Sequence, residues 1–205
     1  MKYFLDTEFI EDGKTIDLIS IGIACEDGRE LYLQHCDFNA REANEWVKEN
    51  VLPHLATCQN GFGHERRTLE YDLSIHADTG QCVSIPGYRP NLSLCPWRTR
   101  AQIRDEIKLF FFAHMSTNPN DGIELYGYYS AYDHVAFCQL FGTMADLPKG
   151  YPMYTRDLKQ WCDDLGNPEL PKQEGTEHNA LADARWNKSV YDFLMVAKGN
   201  RQWQE

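Results

Sequence analysis

Residues 2–10 read KYFLDTEFI, a nearly continuous run of residues that favour β-strand. Two acidic residues, Asp6 and Glu8, interrupt this run. Successive side chains of a strand point to opposite faces, so both carboxylates should project from the same side. Two acids side by side on a largely buried strand repel each other and lose hydration, and a bound cation would relieve both penalties. The alternative is that the strand frays here and both acids are solvated.

Two further β-like segments follow this strand, TIDLISIGIAC (15–25) and RELYLQHC (29–36). The connecting turns, EDGK and EDGR, both contain Asp-Gly, which is a strong hairpin signal. The first three strands are therefore predicted to form an antiparallel meander.

The rest of the chain is predicted to alternate helix and strand. Helical periodicity predicts helices over 41–55, 99–114, 133–142, 155–166 and 178–198, with a strand at 123–130. This order predicts a single α/β domain over 1–205, in which a mixed sheet of antiparallel and parallel strands is flanked by helices. Residues 56–98 are rich in Gly, Pro, Arg and Asn, and we expect them to form an ordered insertion or a flap.

The net charge of −11 disfavours a protein that grips nucleic acid mainly by neutralising phosphates. It does not exclude an enzyme that takes a few nucleotides into an acidic pocket, because bound cations reverse the local charge. The chain has no run of about 18 apolar residues and no apolar stretch typical of a signal peptide. We therefore expect no membrane span and a cytoplasmic protein.

The seven cysteines form no C-x-x-C pair, which favours reduced thiols packed in the core. The alternative is a zinc site within the insertion, although the spacing of the possible ligands is irregular for zinc. Those ligands would be Cys58, His64, His76, Cys82 and Cys95.

Three later residues could complete a cation site with Asp6 and Glu8. Asp133 follows a predicted strand and opens a helix, where the alternative role is an N-cap. His178 and Asp183 are five positions apart, or about 140° around an ideal helix. They can reach one site only if His178 lies at or just before the first turn. Taken singly, each is more often a surface or capping residue.

The three segments FLDTEF, YYSAYDHVAF and EHNALADAR together resemble the motifs of the DEDDh 3′→5′ exonucleases. Those motifs are D-x-E on the first strand, Asp at a later strand-to-helix junction, and H-x4-D on the last helix. The reading YYSAYDHVAFCQLFG and the opening DTEF are closest to the polyadenylate-specific 3′-exoribonucleases of the RNase AS type. The resemblance covers the chain except residues 56–98 and implies a ribonuclease H-like fold.

This resemblance implies hydrolysis at the 3′ end of single-stranded RNA, which releases nucleoside 5′-monophosphates. It implies two Mg²⁺ ions, for which Mn²⁺ can substitute, held by Asp6, Glu8, Asp133 and Asp183. Asp6 would bridge both ions, Glu8 and Asp183 would complete the shell of the first, and Asp133 would serve the second through water. His178 would take the proton of the attacking water. The same branch implies a homodimer.

Four other residues are expected to contact the nucleic acid. Phe9 and Tyr132 lie beside the metal residues in sequence and could stack on the terminal base, with core packing as the alternative. Arg156 and Arg185 are candidate phosphate contacts, with a solvated helix face as the alternative.

Two other functions compete with an exoribonuclease. A 3′→5′ exodeoxyribonuclease would use the same metal chemistry on DNA. A nucleic-acid-binding domain without catalysis predicts the loss of at least one acid or the histidine, and all five are present.

Overall fold

The computed structural model describes residues 1–56, 96–115 and 122–201. Within these ranges six strands form one mixed sheet in the order β4-β3-β2-β1-β5-β6. The strands are β1 (Lys2–Glu11), β2 (Ile16–Cys25), β3 (Glu30–His35), β4 (Trp97–Arg98), β5 (Glu124–Gly127) and β6 (Arg156–Asp157). The first three form the predicted antiparallel meander, and the other three pairings are parallel. Most of the predicted insertion, including every candidate zinc ligand, lies outside the described residues.

Helices cover both faces of the sheet. They are α1 (Glu45–Asn50), α2 (Arg100–Met115), α3 (Ala131–Gln139), α4 (Leu158–Asp164) and α5 (Ala180–Arg201). Because side chains of β1 alternate, Leu5 packs with α2 and α3 on one face while Phe4 packs with α4 and α5 on the other. A third apolar cluster joins Ile10 of β1 to Val47 and Val51 around α1.

The helix predicted over 41–55 is wrong as a single element. The chain forms two short 3-10 turns, Ala40–Glu42 and Leu52–His54, on either side of the six-residue α1. Asn44 starts α1 because its side chain accepts a hydrogen bond from the Val47 amide at 2.8 Å. Within this segment Val47 and Val51 are buried, whereas Trp46 is 52% exposed.

Four other predicted elements also have different boundaries. The strand over 123–130 ends at Gly127, and the helix over 133–142 begins earlier, at Ala131. The helix over 155–166 is preceded by β6 and begins at Leu158, because the Asp157 carboxylate accepts from the amides of Lys159 and Gln160. The long predicted helix over 178–198 begins at Ala180.

The state of the cysteines and the presence of membrane-spanning helices can both be examined in this fold. Cys25, Cys36, Cys138 and Cys162 are buried, as predicted for packed thiols. Among the described residues, no helix has both the length and the apolar character that crossing a bilayer requires.

Candidate active site

Asp6 and Glu8 lie on the face of β1 that α5 covers. The strand does not fray at this point, because its pairing with β2 runs from Tyr3 to Glu11. Glu8 is only 8% exposed, and Asp6 lines a cleft of about 210 Å³ together with Asp183. The alternative that both acids are merely solvated is therefore wrong.

A glycine on β2 allows α5 to come close to these acids. Gly22 pairs with Asp6, and a Cβ atom at Gly22 would lie 2.2 Å from the backbone oxygen of Ala180. Only glycine fits this contact without moving the start of α5. One turn after Asp183, the Asn187 amide donates to the Leu5 carbonyl oxygen at 3.0 Å. These two contacts hold α5 across β1 at the acidic residues.

His178 lies just before α5, in the position that its spacing from Asp183 requires. Its backbone has a φ of 62°, a left-handed conformation that is uncommon for residues other than glycine. Glu8, His178 and Asp183 each offer one ligand atom, and these three atoms lie within 4.8 Å of one another. Residues from the first strand and the last helix therefore meet at one point.

Asp133 is tied to the same part of β1 from the other face of the sheet. Its Oδ1 atom accepts from the backbone amide of Thr7 at 2.9 Å and from the Thr7 hydroxyl at 2.6 Å. Thr7 lies between Asp6 and Glu8, so these bonds fix Asp133 next to both. Asp133 is in the first turn of α3 and Ser130 occupies the N-cap, so the capping role is wrong.

Burial raises the pKa values of all four carboxylates, and repulsion from the neighbouring acids of the site raises those of Asp6 and Glu8 further. Burial, followed by the charges of Asp183 and Asp133, raises the pKa of Glu8 to about 8. Burial, followed by the charges of the other three acids, raises the pKa of Asp6 well above its ordinary value. Burial also raises the pKa of Asp133 to about 6, although the hydrogen bonds from Thr7 act to lower it. The pKa of Asp183 is likewise raised by burial. Nearby positive charge would favour the ionised forms.

The donor set fits a small, hard divalent cation. Carboxylate oxygens dominate it, and Mg²⁺ and Mn²⁺ prefer such ligands. Among the described residues, no cysteine belongs to the group that could hold an ion, which argues against a thiolate site for zinc here.

Several side chains at the site were not predicted from the sequence, among them Gln173, Trp46 and Asn187. The Gln173 amide donates to Asp183, and the Trp46 ring lies edge-on to His178 with centroids 4.7 Å apart. Gln173 and Trp46 lie outside the three motif segments, and no local sequence pattern marks either of them as a site residue. Asn187 could have been found, because it lies four positions after Asp183 and therefore on the same side of the helix.

The four residues predicted to contact nucleic acid are not among those that line the cleft. Phe9 and Tyr132 are neighbours with ring centroids 5.8 Å apart, and Tyr132 is 47% exposed. Arg156 pairs with Glu124 at 3.1 Å, and Arg185 forms two hydrogen bonds to Glu30 at 2.7 and 2.6 Å. The structure brings neither arginine to the lining of the cleft, and their contact with phosphate stays a prediction.

Comparison with known proteins identifies the family. The model of the 3′-5′ exoribonuclease Rv2179c-like domain matches residues 1–195. The chain is also similar to the 3′-5′ exoribonucleases MT2234.1 and Rv2179c from two strains of Mycobacterium tuberculosis, CDC 1551/Oshkosh and ATCC 25618/H37Rv. It is 39% identical to each over 185 residues, which are 90% of this chain and 88% of the relative. The chain belongs to the Rv2179c-like 3′-5′ exoribonuclease domain family.

Proposed function

We propose that this protein is a metal-dependent 3′→5′ exoribonuclease that releases nucleoside 5′-monophosphates from single-stranded RNA. The observation that carries the proposal is the meeting of Glu8, His178 and Asp183 within 4.8 Å, in a member of an exoribonuclease family. The relatives in Mycobacterium tuberculosis bear the same activity in their names. The polyadenylate preference of the RNase AS type is the finer form of this proposal.

The four carboxylates would hold two Mg²⁺ ions. When bound, the ions supply positive charge for the phosphate and an acidified water. Burial raises the pKa of Asp6, and the charges of Asp133, Glu8 and Asp183 raise it further. Because all three acids act on it, Asp6 would be the ligand shared by both ions. Glu8 and Asp183 would help to hold one ion, and Asp133 would serve the second through water.

His178 would act as the general base. One of its ring nitrogens would take the proton from the attacking water, a role that histidine side chains often perform in enzymes. The Trp46 ring packs edge-on to the imidazole and limits its freedom to turn away. Because His178 precedes the first residue of α5, it can approach Asp183 without sharing its helical face.

Phe9 and Tyr132 would receive the terminal base. Their rings are in contact, and Tyr132 keeps about half of its surface exposed, so an incoming base can stack on it. Phe9 directly follows Glu8 in the chain, and this neighbourhood in sequence is the ground for proposing it as a base contact.

The test is digestion of 5′-labelled poly(A), mixed-sequence RNA and DNA of equal length, each with Mg²⁺ and with a chelator. We expect RNA to shorten from its 3′ end in single-nucleotide steps, and chelation to stop the reaction. Shortening of DNA but not RNA would favour the exodeoxyribonuclease. Binding without shortening of either strand would favour a domain that only binds nucleic acid.

A further inference from the structure

Asn187 lines the cleft, and its buried side-chain oxygen accepts no hydrogen bond from any residue that the structure describes. The residue is 1% exposed and lines the cleft together with Asp6. Its amide nitrogen donates to the Leu5 carbonyl oxygen at 3.0 Å. A carbonyl oxygen only accepts hydrogen bonds, so this contact fixes which end of the amide faces Leu5. The Oδ1 atom must face away, and it has no hydrogen-bond partner in the described part of the chain.

The donor that Oδ1 lacks is not supplied by the side chains around it. Asp6 and Asp183, when ionised, can only accept hydrogen bonds. The Gln173 amide donates to Asp183, and the Trp186 indole nitrogen donates to the Pro171 carbonyl oxygen at 2.9 Å. Buried polar atoms are nearly always satisfied in folded proteins, and an exception points to an ordered water or an ion.

We propose that Asn187 Oδ1 accepts a hydrogen bond from a water molecule bound to the divalent cation at Asp6 and Asp183. This inference rests on the proposed function, because it requires that cation. Mg²⁺ keeps several of its waters when proteins bind it, and those waters need acceptors. Asn187 is almost wholly buried, so a water reaches its oxygen more readily than a nucleoside does.

In this role Asn187 is a positioning residue that acts through the water. Its nitrogen anchors the helix to the residue that precedes Asp6, and its oxygen orients the hydration of the ion. Groups that hydrogen-bond to metal ligands in this way typically change metal affinity by about 10- to 100-fold when they are removed.

The experiment is a titration of the full-length protein with Mn²⁺, followed by electron paramagnetic resonance in the absence of RNA. Two variants separate the two ends of the amide. Asn187→Leu has a similar size but no polar atom, whereas Asn187→Asp keeps an oxygen and loses the donor to Leu5. We expect Asn187→Leu to weaken Mn²⁺ binding about tenfold or more. Asn187→Asp should bind Mn²⁺ at least as tightly as the unmodified protein.

The matched control is Gln34→Leu. Gln34 is another fully buried amide that donates to a backbone carbonyl oxygen, that of Ala56 at 3.1 Å, but it does not line the cleft. This variant should melt at a lower temperature and bind Mn²⁺ normally. Thermal unfolding in chelator verifies that each variant is folded.

Three results would overturn the inference: unchanged binding in Asn187→Leu, equal weakening in Asn187→Asp, or equal weakening in Gln34→Leu. A different result would overturn the proposed function. If the unmodified protein bound Mn²⁺ with the expected order of variants but never shortened RNA, the role of Asn187 would stand and the exonuclease would not.

Discussion

Without a cation, the charged form of Glu8 is unfavourable in the folded protein. Its pKa of about 8 is well above the ordinary value of 4.5, so folding takes up a proton between these pH values. The free energy of unfolding must therefore fall as pH rises through that window. Conversely, the contribution of Glu8 to stability is fully present only below its ordinary pKa.

We expect the melting temperature of the chelated protein to fall by on the order of 5 °C between about pH 5.5 and about pH 8.5. Glu8→Gln cannot ionise at this position, so its melting temperature should fall less over the same range. Differential scanning calorimetry of both proteins measures the difference. Identical falls would show that the Glu8 carboxyl is not the group responsible.

His178→Ala should lower the rate of RNA hydrolysis by about 10²- to 10⁴-fold, the usual contribution of a general base. Mn²⁺ affinity should be largely unchanged, because the carboxylates remain. Asp6→Ala is the comparison variant and should lose Mn²⁺ binding and hydrolysis together. A ring nitrogen of His178 lies close enough to Glu8 and Asp183 to bind the same ion. Calorimetric measurement of Mn²⁺ affinity therefore distinguishes a metal ligand from a base. A large loss of Mn²⁺ affinity in His178→Ala would make it a ligand instead of a base.

At the residue scale, the sequence predicted positions that follow from local geometry. Strand alternation placed Asp6 and Glu8 on one face, and the spacing of His178 from Asp183 required the histidine to precede the helix, as it does. Gln173 and Trp46 could not be predicted, because each contacts a site residue, Asp183 or His178, through a tertiary contact that no local pattern encodes.

At the scale of secondary structure, the contact between β2 and α5 decides where the last helix lies. Gly22→Ala would force a Cβ atom against the Ala180 backbone, so the start of α5 must shift. A displacement of about 1 Å at a catalytic group can cost about 100-fold in rate, and overpacking commonly costs about 1–3 kcal/mol of stability. We expect both losses in this variant, measured as the hydrolysis rate and as the free energy of unfolding in denaturant.

The control for Gly22→Ala is Gly199→Ala, a glycine substitution within α5 itself. A Cβ atom at Gly199 meets nothing within 4 Å, and alanine favours helix more than glycine does. This variant should hydrolyse RNA at the normal rate and be at least as stable. Normal hydrolysis by Gly22→Ala would mean that α5 does not depend on this contact.

The longest elements were the easiest to predict from sequence. Asp-Gly turns and β-rich segments defined the meander of β1, β2 and β3 to within about one residue. The secondary structure of residues 41–55 was harder to predict. Asn44 caps a short helix that begins only at Glu45, and Pro53 lies in a separate 3-10 turn. The two-residue strands β4 and β6 pair only with distant parts of the chain, so no local pattern marks them.

For the whole molecule, the net charge of −11 implies that RNA binding depends on the cations more than on basic side chains. The His178→Ala variant, which we expect to hydrolyse RNA at least about 100-fold more slowly, allows binding to be measured in Mg²⁺. Its affinity for an RNA oligomer should fall less than about tenfold between about 50 and 200 mM salt, because few phosphates are neutralised by lysine or arginine. Chelation should abolish binding. A fall of about 10³-fold would indicate six or more phosphate contacts and would contradict this expectation.

The mixed sheet flanked by helices agrees with the predicted α/β class. The ribonuclease H-like fold, the homodimer and the cytoplasmic location stay predictions, as does the role of the insertion.

Asp6 is in the first strand and Asp183 is in the last helix, so nearly the entire chain separates two side chains that share one cleft. A polypeptide emerging from the ribosome therefore has no complete site until α5 has left the exit tunnel and settled against Gly22. On the proposed function, the messenger RNA being translated would not be exposed to nuclease activity from its own growing product. Fragments released early by interrupted translation would likewise be inert towards RNA.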